Sequence, residues 1–191
     1  MGTAWTAPPV ILASASPRRR DILTLLGIPF EALPAGEEPP PAPGLPPEEA
    51  ALSLARGKAE AVAALRPDRL VIGADTLVWM DGAVLGKPRD EAGAAAMLAR
   101  LQGRRHRVTT GVFVCSPRGR DGFFETAAVE FYPMDAAEIA AYIRTGEPMD
   151  KAGAYGIQGA GMRYVKGIEG DFYTVMGLPG ARLWRFLRNF V

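Results

Sequence analysis

The segment VILASASPRRRDILTLL, residues 10–26, joins a short apolar run to an apolar stripe with helical spacing. The run Val10–Leu12 is typical of a buried strand, whereas isoleucine and leucine recur at helical spacing over residues 17–26. Ser16 is a favourable N-cap, the proline that follows it is tolerated in a first helical turn, and Gly27 is a typical stop signal. This segment therefore predicts a β-strand that leads directly into an α-helix.

The rest of the chain continues this alternation of strand and helix patterns. Strands are predicted at 70–72 and 77–80, and an antiparallel pair at 108–115 and 124–131 joined by the polar loop 116–122. Helices are predicted at 48–65, 90–101, 135–144 and 179–190, with a proline-rich loop at 34–47 and a glycine-rich loop at 145–161. Parallel strands need helical crossovers and hairpins do not, so this order predicts an α/β fold with a mixed sheet and flanking helices.

The composition argues against several classes of protein. The 191 residues include 22 Lys and Arg against 21 Asp and Glu, a formal charge of +1, so neither a nucleic-acid polymer nor a membrane surface is expected as a partner. Cys115 is the only cysteine, which excludes a disulfide within the chain and a cysteine-only metal cluster. With no long apolar run and no signal-peptide pattern, we expect a cytoplasmic protein with one domain over residues 1–191.

Hydroxyl and guanidinium groups surround the start of the first predicted helix. They belong to Ser14, Ser16, Arg18 and Arg19. Backbone N–H groups and the helix dipole favour an anion at this position, so one interpretation is a phosphate cradle. The other is a capped helix with two solvated arginines, and the pattern alone favours that second interpretation.

Asp75 follows an apolar run and a glycine, so the sequence predicts that its carboxylate is at least partly buried. Burying it without compensation would cost roughly several kcal/mol. A cation beside it, or a turn capped through Thr76, would remove that cost, and the segment leaves both open. Glu38 and the adjacent Glu37 could join Asp75 as oxygen ligands of Mg²⁺ or Mn²⁺, although acids in a proline-rich loop are more often solvated.

Two lysines lie in defined local settings. Lys58 is inside an alanine-rich predicted helix, and Lys87 lies between a flexible glycine and a rigid proline. Each alone is typical of a surface lysine. Together with Arg18, Asp75 and the helix start, they supply what phosphoryl transfer needs, which is positioning and charge neutralisation. The chain has no Gly-x-x-x-x-Gly-Lys-Ser/Thr loop, so a P-loop enzyme is not indicated.

His106 is the only histidine, which excludes a zinc site with several histidine ligands. It lies in an arginine-rich turn before a predicted strand, where a structural role is favoured over that of a general base. Cys115 lies within a predicted strand and is expected to pack in the core.

The stretch Leu12-Ala13-Ser14-Ala15-Ser16-Pro17-Arg18-Arg19 resembles the opening signature of the Maf family of nucleotide pyrophosphatases. Similar stretches follow in the family's order at 73–76, 86–88, 103–111, 150–159 and 175–179, so the resemblance covers nearly the whole chain. It implies two α/β lobes around a central cleft, similar to the inosine triphosphate pyrophosphatases. It also implies hydrolysis of non-canonical or surplus nucleoside triphosphates to monophosphate and pyrophosphate.

The resemblance also implies a role for each candidate residue. Asp75 would be the proton acceptor for the attacking water and a metal ligand. Glu38, rather than Glu37, would be the second acid at a Mg²⁺ or Mn²⁺ ion. The triphosphate ligands would be Arg18, Lys58 and Lys87, with Ser14 assisting at the helix start.

Substrate preference within the family is implied by Arg18, Thr76 and Gln158, which resemble the branch that prefers dTTP and UTP over 7-methyl-GTP. The amide of Gln158 pairs a donor with an acceptor and could read a pyrimidine edge, although alone it is more typical of a loop amide that braces backbone. Two alternatives remain: a 7-methyl-GTP pyrophosphatase, and a nucleotide-binding regulator of septum formation without catalysis, since the family is linked to arrest of cell division. A homodimer is the default for a soluble oligomer.

Overall fold

The computed structural model describes residues 5–36 and 44–191 of the chain. These residues form two compact units. The first contains the described residues up to Asp75 together with Thr110–Glu125 and Gly177–Val191, and the second contains Thr76–Thr109 and Thr126–Met176.

A mixed β-sheet runs through the described residues. Its strands are β1 (Val10–Leu12), β2 (Phe30–Ala32), β3 (Val71–Met80), β4 (Ala83–Leu85), β5 (Arg105–Ser116), β6 (Gly119–Phe131) and β7 (Val165–Glu169). The order is β2-β1-β3-β5-β6-β7, with β4 also paired to β3. Strand β1 is parallel to β2 and β3, whereas β3 with β4 and β6 with β7 are antiparallel. The predicted α/β fold with a mixed sheet is confirmed.

Helices connect and flank these strands. They are α1 (Pro17–Leu25), α2 (Pro47–Leu65), α3 (Glu91–Leu101), α4 (Ala136–Ile143), α5 (Phe172–Met176) and α6 (Gly180–Phe186). The capping box predicted at the start of α4 is present, because Asp135 accepts from the Glu138 N–H and Glu138 accepts from the Asp135 N–H. Over residues 5–36 and 44–191, no helix combines the length and the apolar character that crossing a bilayer requires.

In the first unit, helix α2 packs very closely on β3. Gly73 makes this possible, because a Cβ on it would lie 2.2 Å from the carbonyl oxygen of Ala55 and 2.7 Å from the nitrogen of Ala59. Apolar side chains of α2, including Val62, share a buried cluster with Val71 of β3 and with Cys115, which confirms the expected packing role of the cysteine. The backbone of α2 therefore lies so close to the sheet that a side chain at position 73 would overlap it.

In the second unit, α3 and α4 bury their apolar faces against the strands. Leu98, Phe131 and Tyr142 are among the large side chains of this core. His106 also lies here, 2% exposed, with its Nε2 2.8 Å from the Tyr155 hydroxyl and its ring edge-on to Phe131. The predicted structural role of His106 agrees with this position.

Several predicted boundaries are wrong. Strand β3 is continuous through residues 73–76, because a glycine that allows close helix packing need not interrupt a strand. Strands β5 and β6 are longer than predicted and joined by two residues, 117 and 118, instead of the loop 116–122. At 105–108, exposed arginines alternate with buried His106 and Val108, which is a strand pattern that the arginines obscured.

The ends of two helices also differ from prediction. Ser16 occupies the N-cap position of α1, but its side chain makes no capping hydrogen bond with the described residues. Instead, its backbone N–H donates to Ser14 Oγ at 3.2 Å. The last helix, predicted over 179–190, ends at Phe186 and continues as a 3₁₀ turn, Leu187–Asn189.

We predict opposite effects for two glycine-to-alanine changes in the first unit. Gly73→Ala should lower the free energy of unfolding by about 2 kcal/mol or more, because the new methyl group overlaps the backbone of α2. Gly57→Ala, at an exposed position inside α2 with open space around it, should raise that free energy by about 0.5–1 kcal/mol. Urea denaturation of the two variants measures both, and equal effects would contradict the close packing at Gly73.

We also predict that stability depends on pH through His106. Burial lowers the pKa of His106 from 6.5 to about 4, so the unfolded chain binds a proton at weakly acidic pH and the folded protein does not. The contribution of neutral His106 to the free energy of unfolding is complete above pH 6.5. It is lost as the pH falls, by about 2 kcal/mol between about pH 7 and pH 5. Urea denaturation at both values should show this loss, and His106→Gln should flatten it. If His106→Gln lost stability as steeply between these pH values, the pH dependence would belong to other titratable groups.

Candidate functional site

The ion pair between Lys58 and Asp75 is the central charged contact of the first unit. Asp75 lies in the middle of β3, and the Lys58 Nζ on α2 donates to its Oδ1. The two side chains are only 19% and 18% exposed. The expectation that Asp75 has a cation beside it is therefore confirmed, and the cation is a lysine of the chain itself.

The fold explains why these two residues meet. Lys58 lies between Ala55 and Ala59, the two residues whose backbone comes nearest to Gly73. Asp75 follows Gly73 by two positions, and because side chains alternate along a strand both residues face the same side of β3. The close approach of α2 to β3 thus brings the Lys58 ammonium to the Asp75 carboxylate.

The loop between β1 and α1 is held by a buried arginine. Arg19, 8% exposed, donates from Nη1 to Ser14 Oγ at 2.9 Å and from Nε to the Gly177 carbonyl at 2.8 Å. The hydroxyl of Ser14 also accepts from the Ser16 N–H, so both of its lone pairs face donors and its own proton is available to donate to an anion. Arg18, the next residue along the helix, is half-buried.

The solvated-arginine interpretation is wrong for Arg19, because its guanidinium is buried and donates to Ser14 and Gly177. The phosphate cradle at this helix start stays a prediction. Residues Ser14 and Arg18 keep the positions that the prediction gave them at the start of α1.

The second unit carries Thr76, Lys87 and Gln158. Thr76 and Val78 lie on one face of β3, and a Cβ on Gly153 would be 2.8 Å from Val78 Cγ1. The Gly153 N–H donates to the Gly86 carbonyl at 3.0 Å, next to the exposed Lys87. The glycine-rich loop is therefore fixed to the turn that carries Lys87 and to the strand face that carries Thr76.

The part of this loop around Gln158 is organised by a half-buried carboxylate. Glu147 Oε2 accepts from the Ala160 N–H at 2.8 Å, and its Oε1 accepts from the Gly161 N–H at 3.1 Å and from the Tyr142 hydroxyl at 2.8 Å. The same hydroxyl accepts from the Gly156 N–H at 3.0 Å. The side chain of Gln158 is exposed between these anchored positions.

The protonation states fit these contacts. Burial raises the pKa of Glu147, but hydrogen bonds from Tyr142 and the two backbone N–H groups, with the charge of Lys151, outweigh it and lower the pKa overall. Burial raises the pKa of Tyr142. At neutral pH an ionised carboxylate thus faces three donors, one of them a protonated phenol.

The second predicted acid, Glu38, lies outside the described residues, as does Glu37. Over residues 5–36 and 44–191, no three His, Cys, Asp or Glu residues come together as a set of metal ligands. Of the two predicted metal ligands, Asp75 is the one that lies in the described part of the chain.

Sequence reasoning missed the contacts of Arg19, Glu147 and Tyr142. A signal for Glu147 was available, because it is an acid near the start of a loop with glycines at 153, 156, 159 and 161, where the backbone can approach a carboxylate closely. No comparable signal distinguished Arg19 from Arg18, since both follow a proline at a helix start.

Comparison with known proteins gives consistent results. The sequence profile described as "Maf-like protein" matches residues 9–190. The chain is 50% identical over 181 residues to a dTTP/UTP pyrophosphatase of Bacillus velezensis, covering 95% of this chain and 96% of that protein. A dTTP/UTP pyrophosphatase of Koribacter versatilis is 51% identical over 180 residues, with 94% and 93% covered, and one of Deinococcus radiodurans is 48% identical over 186 residues, with 97% and 95% covered.

A solved structure is similar in fold. The Ham1 protein of Staphylococcus aureus superposes with a TM-score of 0.53 at 16% identity, covering 95% of this chain and 98% of that protein. At this identity the likeness concerns the fold alone, and it agrees with the mixed sheet and flanking helices described above.

We predict that Arg19 contributes more to stability than its neighbour Arg20. Arg19→Met should lower the free energy of unfolding by about 2 kcal/mol, because it removes charged hydrogen bonds to Ser14 and Gly177. Arg20→Met, the same change at an exposed position, should alter it by less than about 0.5 kcal/mol. Urea denaturation of both variants measures the difference, and indistinguishable midpoints would show that the Arg19 contacts add nothing.

Proposed function

This chain belongs to the Maf family, and from that premise we propose that it hydrolyses dTTP and UTP to the monophosphate and pyrophosphate. The observation that carries the proposal is the half-buried pair of Lys58 and Asp75, in which an ammonium on α2 holds a carboxylate on β3. Relatives of similar length at about 50% identity bear the name of this activity, which supports the choice of substrates.

Asp75 is the proposed general base. The bond between the α and β phosphates breaks, a water oxygen bonds to phosphorus, and the proton of that water passes to the Asp75 carboxylate as pyrophosphate leaves. The position of Asp75 supports this role, since a strand in the middle of a sheet and the contact from Lys58 hold the carboxylate in one orientation.

Lys58, Lys87 and Arg18 are the proposed triphosphate ligands. The ammonium of Lys58 is a compact positive charge with three N–H donors, which suits it to phosphate oxygens. Ser14 would add a hydroxyl donor, because its lone pairs already accept from Arg19 and Ser16. Together these groups neutralise the charge of the triphosphate, which supplies most of the catalysis in phosphoryl transfer.

The chemistry of Asp75 fits a Mg²⁺ or Mn²⁺ ion. Magnesium in phosphoryl-transfer sites is usually held by one or two protein carboxylates together with substrate phosphates, so a site with few acids suffices. Asp75 and Glu38 are the proposed protein ligands. When bound, such an ion would neutralise phosphate charge and polarise the bond that breaks.

Base recognition is assigned to Thr76 and Gln158, with Arg18. The amide of Gln158 offers a donor and an acceptor side by side, the pattern needed for a thymine or uracil edge. Its exposure at the surface of an otherwise anchored loop supports this role. We further propose that the whole chain acts as one Maf-like domain, in the cytoplasm and as a homodimer, and that it keeps unwanted nucleotides out of nucleic acids.

Pyrophosphate release from a panel of nucleotides tests the proposed substrates. Purified protein with Mg²⁺ or Mn²⁺ should release pyrophosphate from dTTP and UTP in preference to CTP, 7-methyl-GTP and the purine triphosphates. A preference for 7-methyl-GTP would replace the substrate assignment and keep the reaction. Release from none of them would favour a nucleotide-binding regulator without catalysis.

We predict that Asp75→Asn lowers kcat by about 10²- to 10⁴-fold, because an amide cannot accept the proton of the attacking water. Asp81→Asn is the matched control. Asp81 is an exposed residue paired with Arg104 in the turn after β3, and its positive φ of 52° suits asparagine. The control should keep wild-type turnover, and circular dichroism should show both variants folded. Wild-type turnover in Asp75→Asn would remove Asp75 from the role of base.

A further inference from the structure

The backbone that carries Gln158 is held on both sides of it. Two residues before Gln158, the Gly156 N–H donates to the Tyr142 hydroxyl. Two and three residues after it, the N–H groups of Ala160 and Gly161 donate to Glu147. The Tyr142 hydroxyl itself donates to Glu147. The backbone on both sides of Gln158 is therefore hydrogen-bonded to the Glu147 carboxylate, directly on one side and through Tyr142 on the other.

The Glu147 carboxylate suits this task because an ionised carboxylate only accepts hydrogen bonds. Its three partners are all donors, two backbone N–H groups and a phenol. A neutral amide in its place would point an N–H₂ group at one of these donors. Tyr142 is 2% exposed, so its hydroxyl cannot replace the lost contact with bulk water at low cost.

Glycines let the segment wrap closely around the carboxylate. A Cβ on Gly159 would lie 2.5 Å from Glu147 Oε2, and Gly159 has a positive φ of 78°. A Cβ on Gly161 would lie 2.5 Å from the Tyr142 hydroxyl oxygen. The turn on which Gln158 lies is therefore shaped around the half-buried Glu147 and the buried Tyr142.

We propose that Glu147 is a positioning residue for nucleobase selection, and that it acts with Tyr142 by fixing the backbone on both sides of Gln158. This inference rests on the proposed function, in which the Gln158 amide reads the pyrimidine edge. Selection between thymine and cytosine depends on where one donor and one acceptor stand, since thymine presents an O4 acceptor where cytosine presents an N4 donor. If the turn is loosened, the amide loses that discrimination. Proposed triphosphate ligands such as Lys58 and Ser14 keep their own contacts, with Asp75 and Arg19.

The test compares kcat/KM for dTTP with kcat/KM for dCTP, two substrates that share sugar and triphosphate. Glu147→Gln should reduce the dTTP preference by about 10-fold, through a higher KM for dTTP with kcat nearly unchanged. Tyr142→Phe, which keeps the buried ring and removes the link to Gly156, should reduce it in the same direction. Glu130→Gln, the same substitution at an exposed residue paired with Lys166, is the matched control and should keep the wild-type preference.

A double-variant cycle separates positioning from a general loss of structure. If Glu147 acts through Gln158, then Gln158→Ala alone lowers the preference, and adding Glu147→Gln to it lowers the preference no further. Equal effects of Glu147→Gln with and without Gln158 would overturn the inference, because Glu147 would then act by another route.

Hydrogen exchange gives a readout that needs no activity. The amides of residues 160 and 161 should exchange about 10-fold faster or more in Glu147→Gln than in Glu130→Gln, since Glu147 is their acceptor. The amide of residue 156 should exchange faster in Tyr142→Phe, which removes its own acceptor. Unchanged exchange at these positions would overturn the inference.

The outcomes also distinguish this inference from the proposed function. A dTTP preference that falls in Gln158→Ala but not in Glu147→Gln would overturn the positioning role and keep the proposed function. A wild-type protein with no preference for dTTP, or no pyrophosphate release from either substrate, would overturn both.

Discussion

The close approach of helix α2 to strand β3 at Gly73 is the constraint on which the candidate site depends. With no side chain at this position, the backbone at Ala55 and Ala59 lies against the strand, and Lys58 between them reaches Asp75. A carboxylate in the middle of a sheet would be costly alone, and a long lysine side chain that made no contact would sample many conformations. Each residue thus fixes the other, so that in the proposed function the pair is already assembled before a triphosphate binds.

Recognition and chemistry draw on different parts of the chain. The proposed base and most of the proposed phosphate ligands belong to the first unit, whereas Thr76, Lys87 and Gln158 belong to the second. Strand β3 carries Asp75 and Thr76 as consecutive residues, so the chain itself connects the two sets. Within the second unit, the glycine-rich loop is fixed to Gly86 through Gly153 and to Glu147 on either side of Gln158. This arrangement explains how a loop of small residues can present one amide in a defined place.

The sequence predicted the elements whose ends carry strong local signals. Strand β1, helix α1 and the capping box of α4 follow from apolar runs, prolines and paired capping residues. Strands β2 and β4 were missed because neither is the fully buried apolar run that marked the equally short β1. In the site, the need for a cation beside Asp75 could be inferred from burial cost, but its identity as Lys58 required the tertiary structure. The burial of Arg19 was equally inaccessible, since its acceptor Gly177 is 158 positions away in sequence.

The central claim is that these residues direct cleavage between the α and β phosphates of a pyrimidine nucleoside triphosphate. Separation of the products of dTTP turnover by anion-exchange chromatography, with purified full-length protein and Mg²⁺, tests it most directly. The proposed reaction yields dTMP and pyrophosphate in equal amounts, with no dTDP at any time. Accumulation of dTDP with orthophosphate would contradict it, because cleavage would then occur between the β and γ phosphates.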